Sequence, residues 1–83
     1  MLQIKVLGSG CGNCKRVEQI AQRVVQEMGV DADIVKVTEY PDIMKYNILS
    51  TPGLVIDEKL RSAGRIPTDS EVKTWITESL SGG

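Results

Sequence analysis

Apolar residues recur every three or four positions between Lys15 and Met28, which is typical of an amphipathic helix. The apolar stripe consists of Val17, Ile20, Ala21, Val24, Val25 and Met28. Gly29 suits the left-handed position that often ends a helix. The pattern therefore predicts one long helix that begins near Gly12 and ends before Gly29.

Short stretches rich in apolar and β-branched residues predict four strands. Residues 3–7 form the first and residues 32–37 the second. Residues 54–56 are a solid apolar run, the mark of a strand that is covered on both faces. A turn at residues 57–59 then leads into a fourth strand at residues 60–63, so the last two strands form a hairpin.

Two further helices complete the predicted order β-α-β-α-β-β-α. A short one lies within residues 38–47, where Pro41 suits the first turn and Asn47 a left-handed C′ position. Thr68 and Glu71 form a capping box that opens the last helix. The face that this helix turns to the core is expected to carry Val72, Trp75, Ile76, Ser79 and Leu80.

The element order predicts the fold class and the domain organisation. Strands separated by helices imply parallel crossovers, and the hairpin adds an antiparallel edge. We therefore expect a single α/β domain at residues 1–80, with a flexible tail at residues 81–83.

Composition narrows the classes of function. The 83 residues are 41% apolar and 25% charged, which suits one small globular domain. A net charge of -1 provides no field of one sign for nucleic acid or an anionic membrane. The first residues have neither the basic region of a signal peptide nor the length of a membrane span. We expect a cytoplasmic monomer that binds neither nucleic acid nor membrane.

The two cysteines, Cys11 and Cys14, lie in the stretch GSGCGNCKRV at residues 8–17. A bond between them closes almost no loop, so it would stabilise the fold little, and its purpose would be chemical. The chain has no histidine, which removes the usual general base and a usual ligand of zinc sites. Three interpretations compete: a redox couple, a two-thiolate metal site, or two buried small side chains.

The predicted helix start assigns different roles to the two thiols. Cys11 is expected at the helix N-terminus, where unpaired N–H groups and the helix dipole favour a thiolate. Lys15 and Arg16 add positive charge there, and a solvated face explains this pair better than a specific docking patch does. Such surroundings lower a cysteine pKa from about 8.5 toward roughly 3.5–7.5. Cys11 is the predicted nucleophile, and Cys14, on the apolar stripe, is the predicted resolving thiol.

The C-x-x-C after the first strand, the long helix and STPGLVID at residues 50–57 together resemble the thioredoxin and glutaredoxin superfamily. The likeness is greatest to its small thioredoxin-like redox-active disulfide proteins of archaea and bacteria. It implies a minimal thioredoxin fold, with a four-stranded mixed sheet and three helices. It also implies thiol–disulfide exchange with protein or small-molecule disulfides, no cofactor or metal, disulfide-containing protein substrates and a recycling reductase.

The resemblance also implies roles for single residues. Cys11 resembles the attacking cysteine and Cys14 the resolving one. Pro52 resembles the cis-proline that faces the active-site sulfurs, although for an isolated proline cis is found in only about 5–6% of bonds. Thr51 would offer its backbone to an extended substrate segment. The expected substrate-binding residues are Gly12, Asn13, Thr51 and Pro52.

Several positions depart from the family pattern. Gly10 replaces the tryptophan that precedes the first cysteine in typical thioredoxins, and Asn13 replaces their proline. Lys5 stands about where they bury an acid that assists the second cysteine, so proton transfer is expected to rely on solvent or on Lys5. GRIPTD at residues 64–69 replaces the Gly-Gly and acidic pair of glutaredoxins, so their glutathione site is incomplete.

A cytosolic soft-metal chaperone is the alternative function. Heavy-metal-associated domains also place C-x-x-C between a first strand and a helix, and two thiolates suit copper(I). However, those domains usually carry methionine two residues before the first cysteine, where this chain has Ser9. Their β-α-β-β-α-β order would also end in a strand, whereas this sequence predicts a terminal helix.

Overall fold

The computed structural model describes residues 2–8, 12–47 and 52–81, and within them four strands and three helices follow the predicted order. The elements are β1 (Leu2–Leu7), α1 (Gly12–Met28), β2 (Ala32–Val37), α2 (Tyr40–Met44), β3 (Gly53–Ile56), β4 (Lys59–Ala63) and α3 (Asp69–Leu80). Cys11, Thr51 and residues 82–83 lie outside the described residues, and so does that part of the predicted tail.

The described strands form one mixed sheet in the order β2-β1-β3-β4. β1 is parallel to β2 and antiparallel to β3, and β3 is antiparallel to β4. The crossover between β1 and β2 is the helix α1, as expected for parallel neighbours. The predicted α/β fold with a four-stranded mixed sheet and three helices is therefore confirmed.

The sheet buries apolar side chains on both faces. Leu2, Ile4 and Val6 of β1 pack on one face together with residues of α1 and α3. Leu7 of β1 and Val55 of β3 pack on the other face with Ile43 of α2. All four residues of β3 are buried, as the solid apolar run predicts.

Local signals set most of the element ends. Gly29 has a φ of +66° and follows the last residue of α1, as predicted. Asn47 is also left-handed, with a φ of 57°, but it is not the C′ residue of α2. The helix already ends at Met44 with Lys45 as its cap, and the following N–H groups bond three residues back. This tighter turn moves the left-handed residue further along the chain.

The hairpin turn is built without glycine. Asp57 and Glu58 have φ values of 51° and 67°, the pattern of a type I′ turn, which Asn-Gly normally supplies. Asp57 is held to β1 because its N–H donates to the Gln3 carbonyl at 2.8 Å and its Oδ1 accepts from the Gln3 N–H at 3.1 Å. These bonds offset the backbone cost of two left-handed residues that carry side chains.

The capping box of α3 is confirmed, but its predicted apolar face is too long. Val72 and Ile76 are buried and Trp75 is half-buried, whereas Leu80 is 55% exposed. Lys73 of α3 pairs with Glu27, the next-to-last residue of α1, so the part of α3 after Lys73 has little of α1 left to pack against. No helix in the described part of the chain has both the length and the apolar character to cross a membrane.

Candidate functional site

The end of β1 leads directly to the cysteine pair. Gly8 is buried, its φ of 151° favours glycine, and its N–H donates to the Val37 carbonyl of β2 at 3.0 Å. α1 then begins at Gly12, which follows Cys11 in the sequence. The predicted nucleophile thus immediately precedes a helix start, but Cys11 itself lies outside the described residues.

Cys14 lies in the first turn of α1 and is 6% exposed. It shares the buried side of this helix with Val17 and Ala21, as the apolar stripe predicts, and it is disulfide-bonded. Gly12 and Asn13 are exposed, and a side chain at Gly12 would meet nothing within 4 Å among the described atoms. Cys14 is therefore enclosed, while the two residues before it face solvent.

Pro52 is buried and directly precedes β3. Since Leu7 of β1 is paired with Gly53 of β3 in an antiparallel register, the residues beyond this pair, Gly8 and Pro52, come to the same end of the sheet. The Pro52 carbonyl accepts from the Gly64 N–H at 2.9 Å, which ties it to the end of β4. Thr51 lies outside the described residues, so a cis Thr51–Pro52 bond stays a prediction.

Lys5 lies on the other face of β1 from Val6, in contact with two distant side chains. Its Nζ donates to Glu58 Oε1 at 2.6 Å and to Tyr46 Oη at 3.0 Å, and Tyr46 Oη donates to Glu58 Oε2 at 3.1 Å. The hydrogen bond to Glu58, and then the one to Tyr46, raises the pKa of Lys5 above its usual range. The same bond from Lys5 lowers the pKa of Glu58.

This arrangement does not suit Lys5 as the proton acceptor for Cys14. The raised pKa keeps Lys5 protonated at neutral pH, so it has no free lone pair to accept a proton. Cys14 belongs to α1, which packs on the face of Val6. Of the two predicted routes for the proton, this arrangement favours solvent over Lys5.

A cavity of about 140 Å³ adjoins Cys14. Its lining comes from β1, α1, β2 and the residue after β2: Val6, Gly8, Cys14, Lys15, Lys36 and Thr38. Sequence reasoning missed Lys36 and Thr38, because neither belongs to a motif. The feature that could have pointed to these two residues is the parallel pairing of β1 and β2, because it brings the C-terminal ends of both strands to one edge of the sheet.

The metal alternative has little support in the described residues. Within residues 2–8, 12–47 and 52–81, no three or more His, Cys, Asp or Glu side chains come together as a metal site. The described elements also end in α3, whereas the heavy-metal-associated order ends in a strand.

Comparison with known proteins gives a consistent result. A family model described as a thioredoxin domain matches residues 2–77. The chain is 36% identical over 77 residues to a thioredoxin of Methanothermobacter thermautotrophicus, covering 93% of this chain and 100% of that protein. It is 34% identical over 82 residues to a thioredoxin of Methanocaldococcus jannaschii, covering 99% and 94%.

Solved structures share the architecture. The crystal structure of chloroplastic thioredoxin z superposes with a TM-score of 0.70 at 25% identity, over 100% of this chain and 80% of that one. Thioredoxin 1 of Thermosipho africanus superposes with a TM-score of 0.59 at 23% identity, over 95% and 94%, which supports the fold alone.

Proposed function

The chain belongs to the thioredoxin superfamily and has a thioredoxin-type redox function, and from this premise we propose that Cys11 and Cys14 carry out its thiol–disulfide exchange. The Cys11 thiolate attacks one sulfur of a substrate disulfide, and the other substrate sulfur leaves as a thiolate that takes a proton from solvent. Cys14 then loses its proton and attacks the Cys11 sulfur. The mixed disulfide breaks, the second substrate thiol is released, and the chain is left oxidised.

The observation that carries this proposal is the position of Cys14. It is a buried, disulfide-bonded residue in the first turn of a helix that follows β1 directly. Burial keeps a thiol from reacting with external disulfides, which suits a group that attacks only a sulfur already delivered to its neighbour. The helix start at Gly12 supports a lowered pKa for the preceding thiol, because the dipole and free N–H groups favour its thiolate.

Substrate binding is assigned to the residues around the pair. Gly12 and Asn13 are exposed, so a partner chain can approach there. Buried Pro52 comes to the same end of the sheet as Gly8, and Thr51 before it is proposed to pair its backbone with an extended substrate segment. These four residues form the proposed docking rim for disulfide-containing proteins.

The proposed setting is a cytoplasmic monomer, a single domain over residues 1–80. It needs no cofactor or metal, because both electrons are held by the two thiols. A separate reductase recycles the oxidised form. Nucleic acid and membrane are not among its proposed partners.

The test is a pair of single substitutions. Cys14→Ser should accumulate a stable mixed disulfide with a protein substrate through Cys11, because nothing remains to resolve it. Cys11→Ser should form none and should be inactive. Mass spectrometry of the alkylated products distinguishes the two. Mixed disulfides of equal yield in both variants would abolish the assignment of roles, and a mixed disulfide in Cys11→Ser alone would reverse it.

A further inference from the structure

The sheet fixes the chain that follows Pro52 of the proposed docking rim. Gly53, the next residue, is paired with both β1 and β4. On the side before Pro52, the described residues end at Asn47, which is exposed. Tyr46 is the described residue nearest to Pro52 on that side whose side chain packs into the fold. The anchor for the chain that leads into Pro52 is therefore to be sought at Tyr46.

Tyr46 packs against the small core cluster on the α2 face of the sheet. That cluster contains Leu7, the last residue of β1, and Val55, which lies in β3 three positions after Pro52. β1 leads to the cysteine pair, and β3 follows the proline. Tyr46 therefore packs against the cluster that joins the two strands carrying the proposed site.

The hydroxyl of Tyr46 is fixed by two further side chains. It accepts from Lys5 Nζ at 3.0 Å and donates to Glu58 Oε2 at 3.1 Å, while Lys5 Nζ donates to Glu58 Oε1 at 2.6 Å. Each member of this Lys5–Tyr46–Glu58 trio bonds to the other two, which restrains the phenol more than a single bond would. Lys5 belongs to β1 and Glu58 follows β3, so the trio links the same two strands again.

The exposure of the trio indicates that its main effect is on geometry. The Glu58 side chain is 60% exposed and that of Lys5 is 26% exposed, and ion pairs at the surface contribute little to stability. A closed set of three hydrogen bonds nevertheless restricts where the phenol lies. It thereby restricts the start of the chain that runs from Tyr46 to Pro52.

We propose that Tyr46, held by Lys5 and Glu58, is a positioning residue for protein substrates. It sets where the chain enters Pro52, and so where Thr51 offers its backbone to an extended substrate segment. It touches neither the substrate nor the sulfurs, and it acts through the docking rim. This proposal rests on the function proposed above, because the rim and the use of Thr51 belong to that function.

The test compares a protein disulfide with a small one. The pre-reduced chain is mixed with insulin or with hydroxyethyl disulfide, and its oxidation is followed by acid quench, alkylation and mass spectrometry. Hydroxyethyl disulfide has no peptide backbone to pair with the rim, so its rate constant reports the thiols alone. Tyr46→Phe should lower the rate constant for insulin by about three- to tenfold, the factor that corresponds to one hydrogen bond. It should leave the rate constant for hydroxyethyl disulfide unchanged.

Two control variants separate positioning from other effects. Tyr40→Phe is the matched control, because Tyr40 is the other tyrosine of the chain, is 71% exposed and lies outside the trio. It should leave both rate constants unchanged. Val72→Ala is the control for stability, because Val72 is 1% exposed in the large core cluster. It should lower the melting temperature without changing the ratio of the insulin rate constant to the hydroxyethyl disulfide rate constant.

Substitutions at Lys5 test whether Tyr46 acts through the trio. Lys5→Met should lower the same ratio as Tyr46→Phe does, whereas Lys5→Arg, which keeps donors for both partners, should retain the parent ratio. The double variant Lys5→Met/Tyr46→Phe should be no slower with insulin than the slower single variant, because both changes break one hydrogen-bonded unit. Additive losses in the double variant would contradict action through the trio.

Two results would overturn the positioning role and leave the proposed function intact: Tyr46→Phe keeps the parent ratio, or Val72→Ala or Tyr40→Phe lowers it as much as Tyr46→Phe does. A parent chain that reduces neither insulin nor hydroxyethyl disulfide would instead contradict the proposed function, and the positioning role would fail with it.

Discussion

Leu7 at the end of β1 lies directly opposite Gly53 at the start of β3. This pairing joins two segments that are distant in sequence, because Gly8 leads into the cysteine pair and Pro52 directly precedes Gly53. Both Gly8 and Pro52 are buried. The sheet register thus brings the proline to the end of the sheet from which the helix of Cys14 departs.

We predict that Pro52→Ala slows exchange with protein disulfides more than it affects the fold. Alanine introduces a backbone N–H within the proposed docking rim and removes the ring that fills the buried position. The freer unfolded chain should lower the free energy of unfolding by about 0.4–1 kcal/mol. Insulin reduction measures the exchange, and urea unfolding followed by circular dichroism measures stability.

Pro67→Ala is the matched control for this substitution. Pro67 is buried like Pro52, but it precedes α3 and takes no part in the proposed site. It should cost stability without slowing insulin reduction. Equal slowing by both variants would mean that Pro52 acts only through stability.

A second prediction compares a buried leucine with an exposed leucine that the sequence pattern assigned to the core. Leu54 is 0% exposed and belongs to the central core cluster, so Leu54→Ala should lower the free energy of unfolding by about 2–5 kcal/mol. Leu80 is 55% exposed, so Leu80→Ala should change it by no more than about 0.5 kcal/mol. Urea denaturation measures both. A large loss at Leu80 would show that the last turn of α3 is packed.

The local features of the fold could be predicted because each depends on a short stretch of sequence. The capping box needs only Thr68 and Glu71, and the buried side of Cys14 follows from the period of its own helix. These predictions concern elements whose physical cause lies within a few residues.

The features that were missed depend on residues brought together by the tertiary fold. Lys5 meets Tyr46 and Glu58, which are 41 and 53 positions away, so no local pattern predicts the raised pKa of its ammonium group. The cavity beside Cys14 likewise needs side chains from several elements. The apolar pattern also could not show where α1 stops covering α3, and for that reason Leu80 was assigned to the core.

A third prediction concerns the stability of the fold at acidic pH. Glu71 accepts from Arg65 Nη1 and Nη2 at 2.9 and 2.7 Å and from the Thr68 N–H at 3.1 Å, and these bonds lower its pKa from 4.5 to about 2. A lowered pKa in the folded state means that the carboxylate stabilises the fold above pH 4.5 and that this contribution disappears as the pH falls through about 2. Glu71→Gln should therefore be less stable than the parent near neutral pH, and the difference should shrink across that acid window.

Urea unfolding of the two chains at several pH values measures this difference. Glu39→Gln is the control, because Glu39 is exposed and has no ion pair with the described residues. If the gap between Glu71→Gln and the parent stays constant from neutral pH down to about 2, the bonds from Arg65 do not set the acid sensitivity.

The last prediction tests the route of the Cys14 proton. Lys5→Met should lower the melting temperature, because Glu58 loses its ion pair and Tyr46 loses a hydrogen-bond donor. It should not shift the pH profile of Cys14 alkylation, measured in a Cys11→Ser background. Lys5 stays protonated through the neutral range and lies on the other face of the sheet from the core that α1 covers, so solvent takes the proton in both chains.

Tyr46→Phe, which keeps the Lys5–Glu58 pair, should lower the melting temperature less and leave the profile equally unchanged. A shifted profile in Lys5→Met but not in Tyr46→Phe would show that Lys5 influences the thiol after all, and the argument that excludes Lys5 from the route of the proton would fail.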